Sequence, residues 1–215
     1  MSIWVVIPVK PLNRAKSRLS QVLSPTERQQ LAETMFRHVL QVVNKVPQII
    51  GTLVISRDGR VLSIAREYGA RTVQESGAPE LNSALMRATQ VVARWRGNGV
   101  LILPADLPVI AEADLAAMLE LGQDGPGVVI ATDDNEDGTN AMLIRPPGLI
   151  PYAYGTGSFK RHIELAQQIG AAVRVYRSPR LALDIDVPQD LEAYQRLVGY
   201  NGHAAPELLV PDNVI

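Results

Sequence analysis

Ile3, Trp4, Val5, Val6, Ile7 and Val9 make a short, almost unbroken apolar run rich in β-branched residues. This is the pattern of a strand buried on both faces near the centre of a parallel sheet. From Ser24 the rhythm changes. Ser24, Pro25 and Glu27 occupy the N-cap, N1 and N3 positions of a capping box, and Leu31, Met35, His38, Val39, Val42 and Val46 then recur at helical spacing until about Lys45. His38 has no carboxylate or second histidine near it in sequence, so it reads as a hydrogen-bonded core residue.

Both rhythms continue along the chain. Residues 52–56 form a second buried strand, an Asp58-capped helix runs to Gly69, and residues 71–74 give a short third strand. A helix opening at Pro79, Glu80, Leu81 and Asn82 carries Leu81, Leu85, Ala88, Val92 and Trp95 on one stripe and stops at Gly97. Further strands are predicted at 100–103, 128–132, 140–144 and 173–176, the last near an edge, with helices at 112–121, 158–169 and 188–198. Strand and helix alternating at this pace predict an α/β fold built from right-handed βαβ units. Residues 199–215, rich in Gly, Pro and Asn, read as a loosely held tail after a domain of residues 1–198. In that tail Leu208, Leu209 and Val210 offer a docking surface to a second copy, which makes a homodimer an expectation.

Composition narrows the function classes. A chain of 215 residues suits one domain that buries roughly 70% of its unfolded surface. A net charge of -1 and a pI near 6.3 lack the broad basic footprint of a nucleic-acid or membrane-surface binder. Without Cys there is no disulfide framework, thiolate metal site or cysteine nucleophile, which fits a reducing cytoplasm. The start of the chain does not read as a signal peptide and no long apolar run suggests a membrane span, so a cytoplasmic location is expected.

Against this background one loop stands out. Lys10, Arg14, Lys16 and Arg18 follow the first strand with no acidic residue before Glu27. Loops beyond the C-terminal ends of parallel strands line the ligand crevice of open α/β sheets, and a cationic loop there suits polyphosphate. Asp106, between Pro104 and Pro108, reads either as a ligand for a divalent metal or as the cap of a turn before the next helix. Asp184 and Asp186 point the same way on an extended segment and make a paired-carboxylate site for a hard cation.

Gly155, Thr156, Gly157 and Ser158 form a Gly-rich turn into a helix. Free backbone N–H groups, the positive helix end and the Ser158 hydroxyl make it either an anion seat or a plain helix start. His162, one turn in, is expected to be exposed. Asn82 is placed either to cap backbone groups or to read a base or ribose. The acidic turn at 133–138 does not match an EF-hand loop and reads as a solvated hairpin tip without chemistry. Cations and carboxylates delivered to one rim imply Mg²⁺ with phosphates, oxygen ligands favouring hard cations over zinc. Phosphoryl or nucleotidyl transfer needs little beyond such positioning and charge neutralisation.

The ordered set PVKPLNRAKSRLS, LSPTER, ELNSAL, LPADLP, GTGSF and LDIDVPQDL resembles the 2-phospho-L-lactate and phosphoenolpyruvate guanylyltransferases of coenzyme F420 biosynthesis across about residues 3–198. The resemblance implies the nucleotide-diphospho-sugar transferase fold, a three-layer α/β arrangement with a mixed, mostly parallel seven-stranded sheet. It also implies that the phosphate of a phosphorylated three-carbon acid, phosphoenolpyruvate or 2-phospho-L-lactate, attacks the α-phosphorus of GTP and releases pyrophosphate. Carried over by position, Lys16 looks like the phosphate-binding lysine, with Lys10 and Arg14 as helpers. Asp106, Asp184 and Asp186 look like the carboxylates for Mg²⁺, Thr139, Gly155 and Ser158 like the seat of the acid, and Asn82 like a residue facing the nucleotide.

Glu80 stands where relatives often carry glycine, which leaves the choice of base open. Thr139 and the Gly155/Ser158 seat favour phosphoenolpyruvate as the acid. One alternative is a molybdenum-cofactor guanylyltransferase of the same fold, against which counts the lack of any glycine between Met1 and Gly51. Another is a non-catalytic nucleotide-binding regulatory domain, which would have no use for three metal carboxylates.

Overall fold

The computed structural model describes residues 2–76 and 80–201. Its strands are β1 (Ile3–Val9), β2 (Ile49–Ser56), β3 (Arg71–Gln74), β4 (Gly99–Ile102), β5 (Gly127–Ala131), β6 (Ala141–Arg145) and β7 (Ala172–Val175). They form one seven-stranded sheet in the order β3-β2-β1-β4-β6-β5-β7. β6 runs antiparallel to β4 and β5, and the remaining pairings are parallel. The sheet is therefore mixed and mostly parallel.

The helices are α1 (Pro25–Asn44), α2 (Gly59–Glu67), α3 (Leu81–Arg94), α4 (Glu112–Leu121), α5 (Ser158–Gln168), α6 (Pro179–Ala182) and α7 (Pro188–Asn201). Strand alternation sorts them into two layers. Ile3, Val5 and Ile7 of β1 pack with Phe36 of α1, Ile64 of α2 and Leu115 of α4 on one face. Trp4 and Val6 pack with Leu85 of α3 and Phe159 of α5 on the other. Each such buried side chain contributes about 1.5–3 kcal/mol, which explains why β1 is apolar at nearly every position.

A third, smaller cluster bears directly on the site. Leu19 and Leu23 from the first loop, Leu31 and Met35 of α1, and Leu191 and Tyr194 of α7 enclose Ile185. Two segments far apart in sequence are thus sealed onto one helix.

Several expectations need adjusting. β2 starts at Ile49 because it pairs with the whole of β1 from Ile3 onward. Leu81 is 43% exposed, since it opens α3 beyond the shelter of the sheet, with Glu80 as N-cap accepting from the Ser83 N–H. α6, capped by Ser178 with Pro179 at N1, was not foreseen. α7 runs on to Asn201 rather than stopping at 198. Pro79, and the remaining tail with Leu208, Leu209 and Val210, lie outside the described residues. No helix among the described residues is long and apolar enough to cross a membrane.

One edge of the sheet gathers the loops that matter. Ile102 of β4 pairs with Met142, and Ala131 of β5 pairs with Ala141. The start of β6 therefore lies beside the ends of β4 and β5.

Candidate active site

Beyond β1 the chain makes two short 3-10 turns, Leu12–Arg14 and Ser17–Leu19, each anchored by a buried leucine. The Leu12 N–H donates to Asp58 Oδ2 at 2.9 Å, while Asp58 Oδ1 caps α2 through the Arg60 N–H. Between the turns Lys16 adopts φ 54°, ψ 37°. That left-handed conformation costs a non-glycine residue on the order of 1 kcal/mol. It carries the lysine inward: its side chain is 5% exposed, and Nζ donates to Asp106 Oδ2 at 2.6 Å and to Asp186 Oδ1 at 3.0 Å. Lys10, Arg14 and Arg18 stay exposed around it, with Arg18 3.7 Å from Asp186.

The aspartates arrive by separate routes. Asp106 sits on the loop after β4. Asp184 and Asp186 flank Ile185, which is fully buried, so the extended backbone turns its apolar residue inward and both carboxylates away from it. Asp190 then fixes the segment by accepting the Asp186 and Val187 N–H groups, each at 2.7 Å. Asn140 Nδ2 holds the preceding turn through the carbonyls of Leu181 at 2.9 Å and Ala182 at 3.3 Å.

The electrostatics follow from this crowding. Burial acts to depress the Lys16 ammonium, but Asp106 and Asp186 outweigh it and hold its pKa above the ordinary lysine value. Burial acts to raise Asp186, yet Lys16, with Lys10 and Arg18, brings it below the usual carboxylate range. Asp184 is pushed up to about 6 by burial and by the charges of Asp106 and Asp186. Of the three carboxylates it is the one whose charge is worst compensated.

Oxygen donors of this kind suit a hard divalent cation, and the poorly compensated Asp184 is chemically fitted to one. Among the described residues no three His, Cys, Asp or Glu side chains converge as a ready-made cage. Asp106, Asp184 and Asp186 offer carboxylate oxygens of the kind a hard divalent cation takes one or two at a time, its other positions being left to water and phosphate oxygens.

Thr139, Ser158 and His162 form a second cluster at the start of β6 and of α5. All three are buried. Thr139 Oγ1 lies 3.0 Å from His162 Nδ1 and accepts from Ser158 Oγ at 3.2 Å. His162, expected on an exposed face, is fully buried because its ring is held on two sides: Nε2 accepts the Ala153 N–H at 2.9 Å. Burial and the neighbouring Arg161 push it down to about 4.

At the start of α5 two of the backbone donors are already engaged. Asp137 Oδ1 takes the Gly157 N–H at 2.9 Å and its carbonyl takes the Phe159 N–H at 3.1 Å. The acidic turn, exposed at residues 134–137, is thus tied to the start of α5 through Asp137. Its Asp133 carboxylate gathers the N–H groups of Asn135, Asp137 and Gly138. The amides of Gly155 and Thr156 have no hydrogen-bond acceptor among the described residues, and Gly155 has φ +122°. Arg161 braces this loop by donating to the carbonyls of Ala153 and Thr156.

Asn82 spends its amide on the same loop, Oδ1 accepting the Tyr154 N–H at 2.8 Å and Nδ2 lying 3.4 Å from the Tyr154 carbonyl. It ties α3 to the Gly-rich turn rather than capping its own helix. His38 is half-buried with Nε2 on the Ile110 carbonyl at 3.0 Å, as expected of a packed histidine.

Residues 3–208 match the family described as "Guanylyl transferase CofC like". The chain belongs to that family. Among its CofC-like relatives, the phosphoenolpyruvate guanylyltransferase of Rubrobacter xylanophilus is 43% identical over 196 residues, covering 89% of this chain and 92% of that protein. The 2-phospho-L-lactate guanylyltransferase of Methanothermobacter thermautotrophicus is 35% identical over 191 residues, covering 89% and 83%. The CofC-like fold extends further. A provisionally named nucleotide-diphospho-sugar transferase from Desulfovibrio desulfuricans G20 superposes with a TM-score of 0.78 at 15% identity, over 94% of this chain and 90% of that one. At that identity the likeness concerns architecture alone.

Within this CofC-like chain the residues that sequence reasoning passed over are His162, Asn140 and Asp190. Asp190 carried a readable signal, an acid at N3 behind Pro188 at N1. His162 and Asn140 carried none, because their partners lie 23 and 41 residues away in sequence.

Proposed function

We propose that this protein transfers a guanylyl group from GTP to a phosphorylated three-carbon acid, with phosphoenolpyruvate the preferred acceptor. A phosphate oxygen of the acid bonds to the α-phosphorus of GTP while the bond from that phosphorus to the bridging oxygen breaks, and pyrophosphate leaves with the electron pair. The attacking group is already an anion near neutral pH, so the chain need not supply a base. The buried, neutral His162 behind Thr139 accords with that.

The observation that carries this reading is the meeting of Lys16 with Asp106 and Asp186, residues 90 and 170 positions distant in sequence. A buried ammonium shared by two carboxylates is a charge reserve: turned toward a triphosphate, Lys16 binds phosphate oxygens, Lys10 and Arg14 add to it, and the carboxylates are freed. Asp106, Asp184 and Asp186 would hold Mg²⁺, which supplies charge neutralisation at the α-phosphate and the leaving pyrophosphate. Thr139, Ser158 and the turn at Gly155 seat the acid, and Asn82 stations that turn next to the nucleotide. The phosphoenolpyruvate specificity in the name of the Rubrobacter relative favours that acid over 2-phospho-L-lactate.

Purified protein with GTP and Mg²⁺ should release pyrophosphate when phosphoenolpyruvate is added, faster than with 2-phospho-L-lactate or 3-phosphoglycerate and faster than with ATP in place of GTP. Absence of release with every acid, or release that needs no acid, rejects the proposal.

A further inference from the structure

Thr139 ends a short hydrogen-bond chain whose polarity can be worked out from its far end. His162 Nε2 faces the Ala153 N–H at 2.9 Å, and a backbone amide can only donate. Nε2 is therefore bare, and the neutral ring carries its hydrogen on Nδ1. His162 then donates to Thr139 Oγ1, which also accepts from Ser158 Oγ. Both lone pairs of the threonine oxygen are engaged. Its own hydrogen is what remains, and Thr139 Oγ1 makes no third hydrogen bond among the described residues.

We infer that His162 is a positioning residue: as the Nδ1–H tautomer it sets the Thr139 hydroxyl as a donor toward the carboxylate or phosphate oxygens of the acceptor acid. An acid anion presents acceptors only, so the sense of this one hydroxyl matters. With the hydrogen on Nε2 instead, Thr139 would donate inward to Nδ1 and turn a lone pair toward the anion. The surroundings keep the ring neutral. Arg161 stands beside it, Tyr154 packs edge-on at 5.0 Å, and no acidic group among the described residues shifts it. Ser158, whose hydroxyl hydrogen goes to Thr139 and whose N–H goes to the Gly155 carbonyl at 3.0 Å, serves the seat by fixing the Thr139 oxygen.

This inference rests on the guanylyl-transfer reading for the identity of the ligand, and its test separates the two. KM for phosphoenolpyruvate and for GTP is measured in the wild type, in His162→Phe, which keeps a ring without nitrogens, and in His162→Asn, which retains a donor near the Nδ1 position. His162→Phe should raise the acid KM about 10-fold or more, as for loss of a hydrogen bond to a charged group, and leave the GTP KM within about twofold. His162→Asn should recover part of the loss. An unchanged acid KM in His162→Phe, an equal rise for both substrates, or an asparagine variant no better than phenylalanine overturns the inference.

Nitrogen-15 NMR of histidine in the wild-type protein gives a readout independent of turnover and of variant folding. Nδ1 should be protonated and Nε2 bare at neutral pH, and the reverse overturns the inference. If the wild type releases no pyrophosphate with any acid, the guanylyl-transfer reading fails on its own, and the tautomer measurement still decides the hydrogen-bond polarity.

Discussion

Arg180 grips both carboxylate oxygens of Asp114, Nε to Oδ2 at 2.7 Å and a terminal nitrogen to Oδ1 at 2.9 Å, where Asp114 is fully buried. The Tyr176 and Ser178 hydroxyls donate to Oδ1 at 3.1 and 2.7 Å, and the Ala111 N–H donates to Oδ2 at 3.0 Å. This carboxylate welds α4 to the segment that leads from β7 through α6 to Asp184. Fully satisfied, a buried ion pair fixes geometry more than it adds stability.

Asp114→Ala should therefore cost about 3–5 kcal/mol, since it strands the Arg180 charge and several buried donors. Urea unfolding would measure it, and activity should fall with it because the segment bearing Asp184 and Asp186 loses its anchor. A cost under about 1 kcal/mol would show that the anchor is elsewhere.

Lys16→Ala and Asp184→Asn should shift stability in opposite directions. Removing the ammonium leaves Asp106 with no ion-pair partner among the described residues and Asp186 with only the exposed Arg18 at 3.7 Å, both facing Asp184, and the metal-free protein should lose about 1–3 kcal/mol. Removing the charge of Asp184 relieves that crowding, so the asparagine variant should be unchanged or more stable by about 1–2 kcal/mol at neutral pH. Both should lose pyrophosphate release by more than about 100-fold. Mg²⁺ should also raise the melting temperature of Lys16→Ala more than that of the wild type, because its carboxylates no longer share themselves with a lysine. Thermal scans with and without Mg²⁺ check both statements, and a parallel loss of stability in the two variants would contradict them.

What the sequence made legible was local. The capping box of α1 is present in full, the Ser24 N–H donating to Glu27 Oε2 at 2.7 Å and the Glu27 N–H to Ser24 Oγ at 3.3 Å. The double-faced burial of β1 followed from its unbroken apolar run, and the common orientation of Asp184 and Asp186 from their spacing around Ile185. His162 was misjudged because helical periodicity compares a residue with its neighbours on the same helix, whereas its burial is decided by Thr139 and Ala153. The acidic turn is the solvated hairpin tip expected of it, exposed at residues 134–137, but its link to α5 was not readable. Asp133 organises its own turn, a local pattern, but Asp137 reaches α5 across 20 residues of chain.

His162 also sets an acid limit on stability. Its folded pKa of about 4 lies below the ordinary value of 6.5, so between these pH values the unfolded chain binds a proton that the native protein refuses. The stability is complete above about pH 6.5 and drains as pH falls toward 4, by at most about 3 kcal/mol. The difference in unfolding free energy between the wild type and His162→Phe, followed from pH 8 down to 4.5, should move against the wild type. A flat difference would mean that the ring is free to protonate in the native state.

Gly155→Ala should disturb the proposed acid seat more than Gly157→Ala. A Cβ at Gly155 would meet nothing nearer than Arg161 at 3.6 Å, so space is not the obstacle; the φ of +122° is. Forcing an L-residue there costs about 1–3 kcal/mol and tends to swing the Gly155 and Thr156 amides away. At Gly157 the φ of +70° is ordinary left-handed helix, which alanine tolerates for about 1–2 kcal/mol. Acid KM for the two variants, with GTP KM as the internal control, should rank them in that order.

β6 is inserted against the direction of both its neighbours, and the rim is consequently fed by departing polypeptide at β1, β4 and β5 and by arriving polypeptide at β6. Lys16 and Asp106 hang on the departures from β1 and β4, while Thr139 hangs on the arrival and is framed by the hairpin that leaves β5. On the proposed function, remodelling that hairpin should change the choice of acid while leaving Lys16 and Asp106 where they stand. A single phosphate-handling frame is thereby open to being refitted for a different acceptor, one loop at a time.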